Sequence, residues 1–215
     1  LLRNDLRSED HPALYGACQA AGQSGGTVTA IYIATPKQWQ RHDEAPAKLA
    51  LRSQLLTSLS SKLAELGIDL KLLECPSYSD IPALLADFIH HQGISALWYN
   101  CEYPLDETNR DKAVCTALNE HNVDVHPCDG DMLFAEPTLN GQGQPYKVFT
   151  PWYRDWVRKN EQLALPALPC PPPNGQPLAA DSSPIELPGA TQYREDLWPA
   201  SEQYAQMLLG RFVTN

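Results

Sequence analysis

The sequence predicts an α/β fold, a doubly wound parallel sheet of about five strands followed by a proline-rich inter-domain linker. Three observations carry that reading. Near-continuous β-branched and apolar runs, the clearest being Thr27 to Ala34, have the composition of strands buried on both faces. Between them lie longer stretches in which leucines recur at helical spacing. Prolines then crowd the last part of the chain: of 19, eight fall between Glu161 and Ala190. There the missing amide donors and the fixed φ exclude regular sheet or helix.

The elements follow in order. Leu1 and Leu2 read as the tail of a strand whose beginning lies upstream. Asp10 is the expected N-cap of a helix with Pro12 in its first turn, running to about Gly22. After the strand over 27–34, Pro46 opens a longer helix on which Leu49, Leu56, Leu59 and Leu63 share a face, and Gly67 ends it. Ile68 to Cys75 is the next strand; Asp80 and Pro82 start a helix that stops near Gly93. Ile94 to Cys101 is a fourth strand, Asp106 to His121 a helix, and Val123 to Val125 a short last strand. Strand–helix alternation with short connections marks a Rossmann-like doubly wound domain, placed at residues 1–130.

Beyond it the pattern changes. Gly141 to Pro145 reads as a turn, Tyr146 to Phe149 as an extended piece, and 151–159 as a short helix carrying Trp152 and Trp156. Residues 131–197 form the linker, and 198–215 read as the first helix of a second, truncated domain. The aromatic group Phe149, Trp152, Tyr153 and Trp156 is expected at a domain interface.

Charge and composition narrow the function. Hydrophobic residues at 43% are enough for a core, but the net charge of −10 is wrong for a chain that grips nucleic acid by itself. If it works on DNA, residues elsewhere must hold the phosphates. Six scattered cysteines without a Cys-x-x-Cys pair suggest reduced thiols and the cytoplasm. No run reaches the ~18 apolar residues of a membrane helix, and no signal peptide is expected.

In an open parallel sheet, ligands bind at the carboxyl ends of the strands. The loops after Leu2, Ala34 and Cys101 are therefore the candidates. No Gly-rich phosphate-binding motif follows a strand, so a dinucleotide or triphosphate cradled by backbone amides has no support. Asp106 and Glu107 open the helix after the fourth strand. They serve either as an N-cap and a first-turn acid favoured by the helix dipole, or as acceptors for the amino and ring N–H groups of a heterocycle. Arg3, Asp5, Arg7, Arg110 and Asp111 are expected to form ion pairs between neighbouring loops. His90 and His91, about 100° apart on a helix, cannot chelate one metal, and His126-x-Cys128 lacks a second pair.

Several blocks carry a resemblance. Leu2-Arg3-Asn4-Asp5-Leu6-Arg7 with Asp10-His11-Pro12-Ala13-Leu14 resembles the opening of the photolyase/cryptochrome family. Tyr32-Ile33-Ala34-Thr35-Pro36-Lys37-Gln38-Trp39 with His42 resembles its second strand and loop. Tyr99-Asn100, Tyr103, Glu107 and Arg110-Asp111 match a further block, and Pro145 to Trp152 is similar to the segment entering the linker. The overall character is that of bacterial class I cyclobutane pyrimidine dimer photolyases, although Leu1-Leu2 stands where the family commonly has a Trp-containing start.

The resemblance implies an N-terminal antenna-binding domain (1–130), and a helical FAD-binding domain of which 198–215 would be the start. Reduced FAD, bound by that helical domain, splits pyrimidine dimers in damaged DNA under light. A second chromophore, methenyltetrahydrofolate or another antenna, feeds it energy. The family's pterin is held by an Asn-Glu pair at the positions of Asp106 and Glu107, so Glu is matched and Asn has become Asp. No catalytic residue is expected within these 215 residues, and the segment alone is expected to be inactive. Its implied partners are damaged DNA, through the helical domain, and that domain itself; a monomer is expected. The alternatives are a cryptochrome-type blue-light photoreceptor and a stand-alone α/β module that binds a small heterocycle.

Overall fold

The computed structural model describes residues 1–130, 132, 137–162, 167–179 and 183–214. Four parallel strands form two pairs: β1 (Thr29–Ala34) with β2 (Asp69–Glu74), and β3 (Ala96–Asn100) with β4 (Asp124–Cys128). Leu1 and Leu2 join them. The Leu2 amide donates to the Ile31 carbonyl at 2.8 Å and makes a parallel bridge with Tyr32, while the Leu1 amine donates to the Trp98 carbonyl at 2.6 Å. The order across the layer is therefore β2, β1, Leu1–Leu2, β3, β4, with the fifth strand position held by two residues, too few for a ladder.

Helices cover both faces. Alternation along β1 sends Ala30 and Tyr32 to one core, with Leu14 and Cys18 of α1 (Pro12–Ser24) and Leu56, Leu59 and Leu63 of α3 (Pro46–Glu65). Ile31 faces the other core, with Leu85 and Ile89 of α4 (Ile81–Gln92) and Val114 and Leu118 of α5 (Leu105–Glu120). Crossovers returning to opposite faces of a parallel layer are what a doubly wound fold requires. Among the described residues, no helix is long and apolar enough to cross a membrane.

Several boundaries differ from the sequence reading. His11, not Asp10, caps α1, its Nδ1 accepting from the Leu14 amide at 3.0 Å. Asp10 has a positive φ of 48° and instead clasps the linker, exchanging bonds with Leu168 through both backbone and carboxylate. The loop after β1 contains a short helix α2 (Pro36–Arg41), which six residues are too few to announce by periodicity. β4 continues through Pro127, tolerated because this is an edge strand. Phe149, read as extended, opens α6 (Phe149–Gln162), and α7 (Glu202–Thr214) starts four residues later than expected.

The proline-rich stretch has no helix or strand among its described residues past Gln162. It lies along α3. Leu187 is buried in the core, its amide donating to Ser53 Oγ at 3.0 Å, and Asn174 Oδ1 accepts from the Val28 amide at 2.6 Å. Chain that cannot pair with itself thus satisfies its polar groups against the domain.

Helix α1 reaches β3 through Gly16. A Cβ there would lie 2.5 Å from Trp98 Cζ3, inside contact distance. Overpacking of this kind costs about 1–3 kcal/mol. Gly16→Ala should therefore lower the unfolding free energy by about that amount, seen as a lower urea midpoint with an unchanged m-value. A midpoint equal to that of the wild type would show that α1 does not seat on Trp98.

Candidate functional site

The carboxyl ends of the strands open into a crevice of about 210 Å³. Leu1 and Leu2 form its floor; Thr35, Gln38 and Trp39 line one side, and Tyr78, Glu102, Glu107 and Arg110 the other. This is where a doubly wound topology leaves room, because adjacent crossovers depart to opposite faces there.

A chain of ion pairs builds the walls. The Arg3 guanidinium grips Asp111 with two bonds of 2.9 and 2.7 Å and lies 4.4 Å over the Tyr99 ring. Arg110 reaches Asp111 at 2.9 Å and Glu102 at 2.8 Å, over the Tyr78 ring. Glu102 accepts from Asn4 at 2.6 Å, Asn4 from Arg52 at 2.9 Å, and Arg52 donates on to Glu44, which also holds Lys48. These contacts rigidify the crevice, since each charge already has its partner and reorganising one disturbs the next. The expected pairing of Arg3, Arg110 and Asp111 is present. Arg7 instead caps the carbonyls of Asp10 and Gly130. Asp5 pairs with His11 at 3.0 Å.

Asp106 and Glu107 do not cap α5, whose N-cap is Pro104. Both occupy its first turn, where the helix dipole favours negative charge. They diverge in placement. Glu107 lines the crevice and accepts from the Tyr78 hydroxyl at 3.3 Å; among the described residues it makes no ion pair. Burial, with Glu107 and Glu102 nearby and against the opposing pull of Arg110, pushes the Tyr78 phenol up to about 12, so it stays a donor at neutral pH. Asp106 stands at the rim, 3.3 Å from His42 Nε2 and 3.5 Å from Gln38 Nε2. His90 and His91 contact one another edge to face, and His126 stacks on Trp98 at 4.1 Å.

The sequence reading missed Tyr78, Arg52, Lys48 and Glu44. Tyr78 follows β2, a fourth loop at the carboxyl end that the same topological rule covers. Lys48 and Arg52 are spaced by four on α3, the repeat of one helical face, and Glu44 lies just before that helix.

The family model for DNA photolyase matches residues 1–173, most of the chain. The chain belongs to the DNA photolyase family. The deoxyribodipyrimidine photo-lyase of Salmonella typhimurium is 35% identical over 173 residues, covering 79% of this chain and 35% of that relative. Cryptochrome-2 of Arabidopsis thaliana is 30% identical over 173 residues, covering 80% of this chain and 26% of that protein. A bacterial class III photolyase from Agrobacterium tumefaciens superposes with a TM-score of 0.61 at 26% identity, covering 93% of this chain and 37% of that one. The photolyase relatives thus extend well past the part matched here: this chain spans about a third of their length.

The buried network behind the crevice predicts a stability that falls in acid. Burial alone would raise the Asp5 carboxyl, but the His11 contact and the bonds from the Arg3 amide and Asn100 hold it well below the usual carboxylate range. A depressed folded-state value adds stability that is complete above the unfolded value of about 3.9 and is lost as pH falls through the folded one. Asp5→Asn, which removes the buried charge that accepts from His11, Asn100 and the Arg3 amide, should cost about 1.5–3 kcal/mol at pH 7 and flatten the stability profile below about pH 4. Equal acid slopes in the two proteins would remove Asp5 from that role.

Proposed function

We propose that this chain is the antenna-binding α/β domain of a deoxyribodipyrimidine photo-lyase, and that the crevice receives the antenna chromophore. One observation carries the reading. Glu107, matched by resemblance to the family's pterin-binding pair, is a crevice carboxylate whose described contact is a neutral phenol, leaving acceptor capacity for a ligand's N–H groups.

The donor set fits such a group. A pterin offers amino and ring N–H donors, which a carboxylate accepts with charge assistance. Glu107 would hold these, Tyr78 would orient Glu107, and Asp106 would stand at the rim with Gln38 and His42. Arg52 and Lys48, both paired with Glu44, line the same crevice. When bound, a folate antenna absorbs near-ultraviolet light and passes the excitation to the flavin.

The remaining functions belong, in this proposal, to parts of the protein beyond this segment. The matched part is only about a third of the photolyase relatives' length, which supports separate sites for FAD and for damaged DNA in the remainder. The net charge of −10 supports the same division, because phosphate binding needs a basic face. Residues 131–197 serve as linker and 198–215 begin the helical domain, with the enzyme acting as a cytoplasmic monomer. The Arabidopsis relative favours a second reading, a cryptochrome-type photoreceptor. Dimer splitting by the full-length protein under blue light supports the first reading, and its absence the second.

Glu107→Ala in the full-length protein tests the site. Losing a charge-assisted bond of about 1.5–3 kcal/mol weakens binding by roughly one to two orders of magnitude. The near-ultraviolet absorbance of chromophore retained after purification should fall accordingly. Retention at the wild-type level would make Glu107 only a first-turn acid.

A further inference from the structure

Helix α7 is joined to the α/β domain through its first two turns. Residues 202, 206, 209 and 213 share one stripe of the helix by their spacing. The first two are engaged: Glu202 as described below, and Gln206 by donating to Glu9 at 2.8 Å. The last two, Leu209 and Val213, are 62% and 73% exposed, and Phe212 beside them is 83% exposed. Past its second turn the helix thus forms an arm with exposed apolar side chains.

Its attachment is polar. The Glu202 carboxylate accepts from the Ser8 amide at 3.0 Å, the Ser8 hydroxyl at 2.9 Å, the Glu9 amide at 2.9 Å and the Lys62 ammonium at 3.4 Å. Two successive backbone amides with a hydroxyl and a cation make a receptor for an anion. Burial pushes the Glu202 carboxyl up, yet the bonds from Glu9 and Ser8 prevail and hold it below its ordinary range, in its accepting form. Apolar packing contributes little here, because a hollow of about 410 Å³ floored by Leu6, Leu55 and Leu59 of the α/β domain lies beside Glu202 and Gln206.

The receptor sits on a loop that also serves the crevice. Ser8 and Glu9 follow Arg3 and Asn4, which line it, and Arg3 is tied to Asp111 on α5. We propose that Glu202 is a latch: its carboxylate, received by Ser8, Glu9 and Lys62, fixes the direction in which α7 leaves the domain and couples that helix to the crevice loop. Whatever displaces α7 then pulls on residues 3–9, and the crevice feels the position of the arm. This inference is independent of the chromophore proposed above.

Backbone hydrogen exchange on the full chain tests it, since local opening is read residue by residue. In Glu202→Ala, the amides of Ser8 and Glu9 and those of 206–213 should exchange at least about tenfold faster than in the wild type, or about 1.4 kcal/mol in the opening equilibrium. The β1 amides of Ile31 and Tyr32 should not change. Glu202→Gln, which keeps the shape and loses the charge, should show the same pattern to a smaller degree. If the Ala variant unfolds globally, seen as faster exchange in β1, the Gln variant decides by the same rule. Wild-type rates at Ser8, Glu9 and α7 in a folded variant would overturn the latch.

Discussion

The carboxamide of Asn100 holds the crevice together. It sits at the carboxyl end of β3, almost wholly buried, where an unsatisfied amide would be costly. Its Nδ2 donates to Asp5 at 2.8 Å, its Oδ1 accepts from the Ala13 amide at 3.0 Å, and its backbone carbonyl accepts from Arg3 at 3.2 Å. One residue thereby ties together the loop at Arg3 and Asp5, the start of α1 and the end of a strand. The exit from β4 is shaped around it too: a Cβ on Gly130 would lie 2.5 Å from Asn100 Cγ. Arg3 and Asp111, and through Arg110 and Glu102 the whole wall of ion pairs, stand where they do because that loop is pinned.

Much of this was legible in the sequence, and the parts that were not have physical reasons. The strand over Thr27 to Ala34 and the helix from Pro46 have strong periodicity and clear punctuation, and both lie close to where they were expected. The N-cap of α1 was misplaced because Asp10 and His11 are both able to cap. The choice was made by tertiary context, with Asp10 drawn to Leu168, which is distant in sequence. The last strand, expected over Val123 to Val125, runs on through Pro127 to Cys128, which the edge position of β4 permits. Glu107 was readable as a crevice residue from its place after a strand, whereas Tyr78, from a loop joined to β2 and not to β3, met it only through the fold. The loop at Ser8 and Glu9 gave no sign that it receives Glu202, because no local pattern encodes a contact over such a separation.

The same loop thus meets two demands. On one side Arg3 and Asn4 face the crevice; on the other Ser8 and Glu9 grip α7. The linker between them in sequence is held against α3 by Ser53 and Thr57, both side-chain hydroxyls accepting from its amides. A stretch rich in proline, unable to form its own ladder, is thereby given a fixed course that ends where the arm begins. This chain of the photolyase family is thus an α/β body with a polar crevice at its strand ends and a helix, α7, tied to the loop behind that crevice.

The most direct test of the account is the structure of the full-length protein, purified in the dark with its chromophores retained. The account predicts a planar heterocycle at the crevice, with a nitrogen donor of that ring within hydrogen-bond distance of Glu107. A chromophore bound away from Glu107, with the crevice open to solvent in a fully loaded protein, would contradict it.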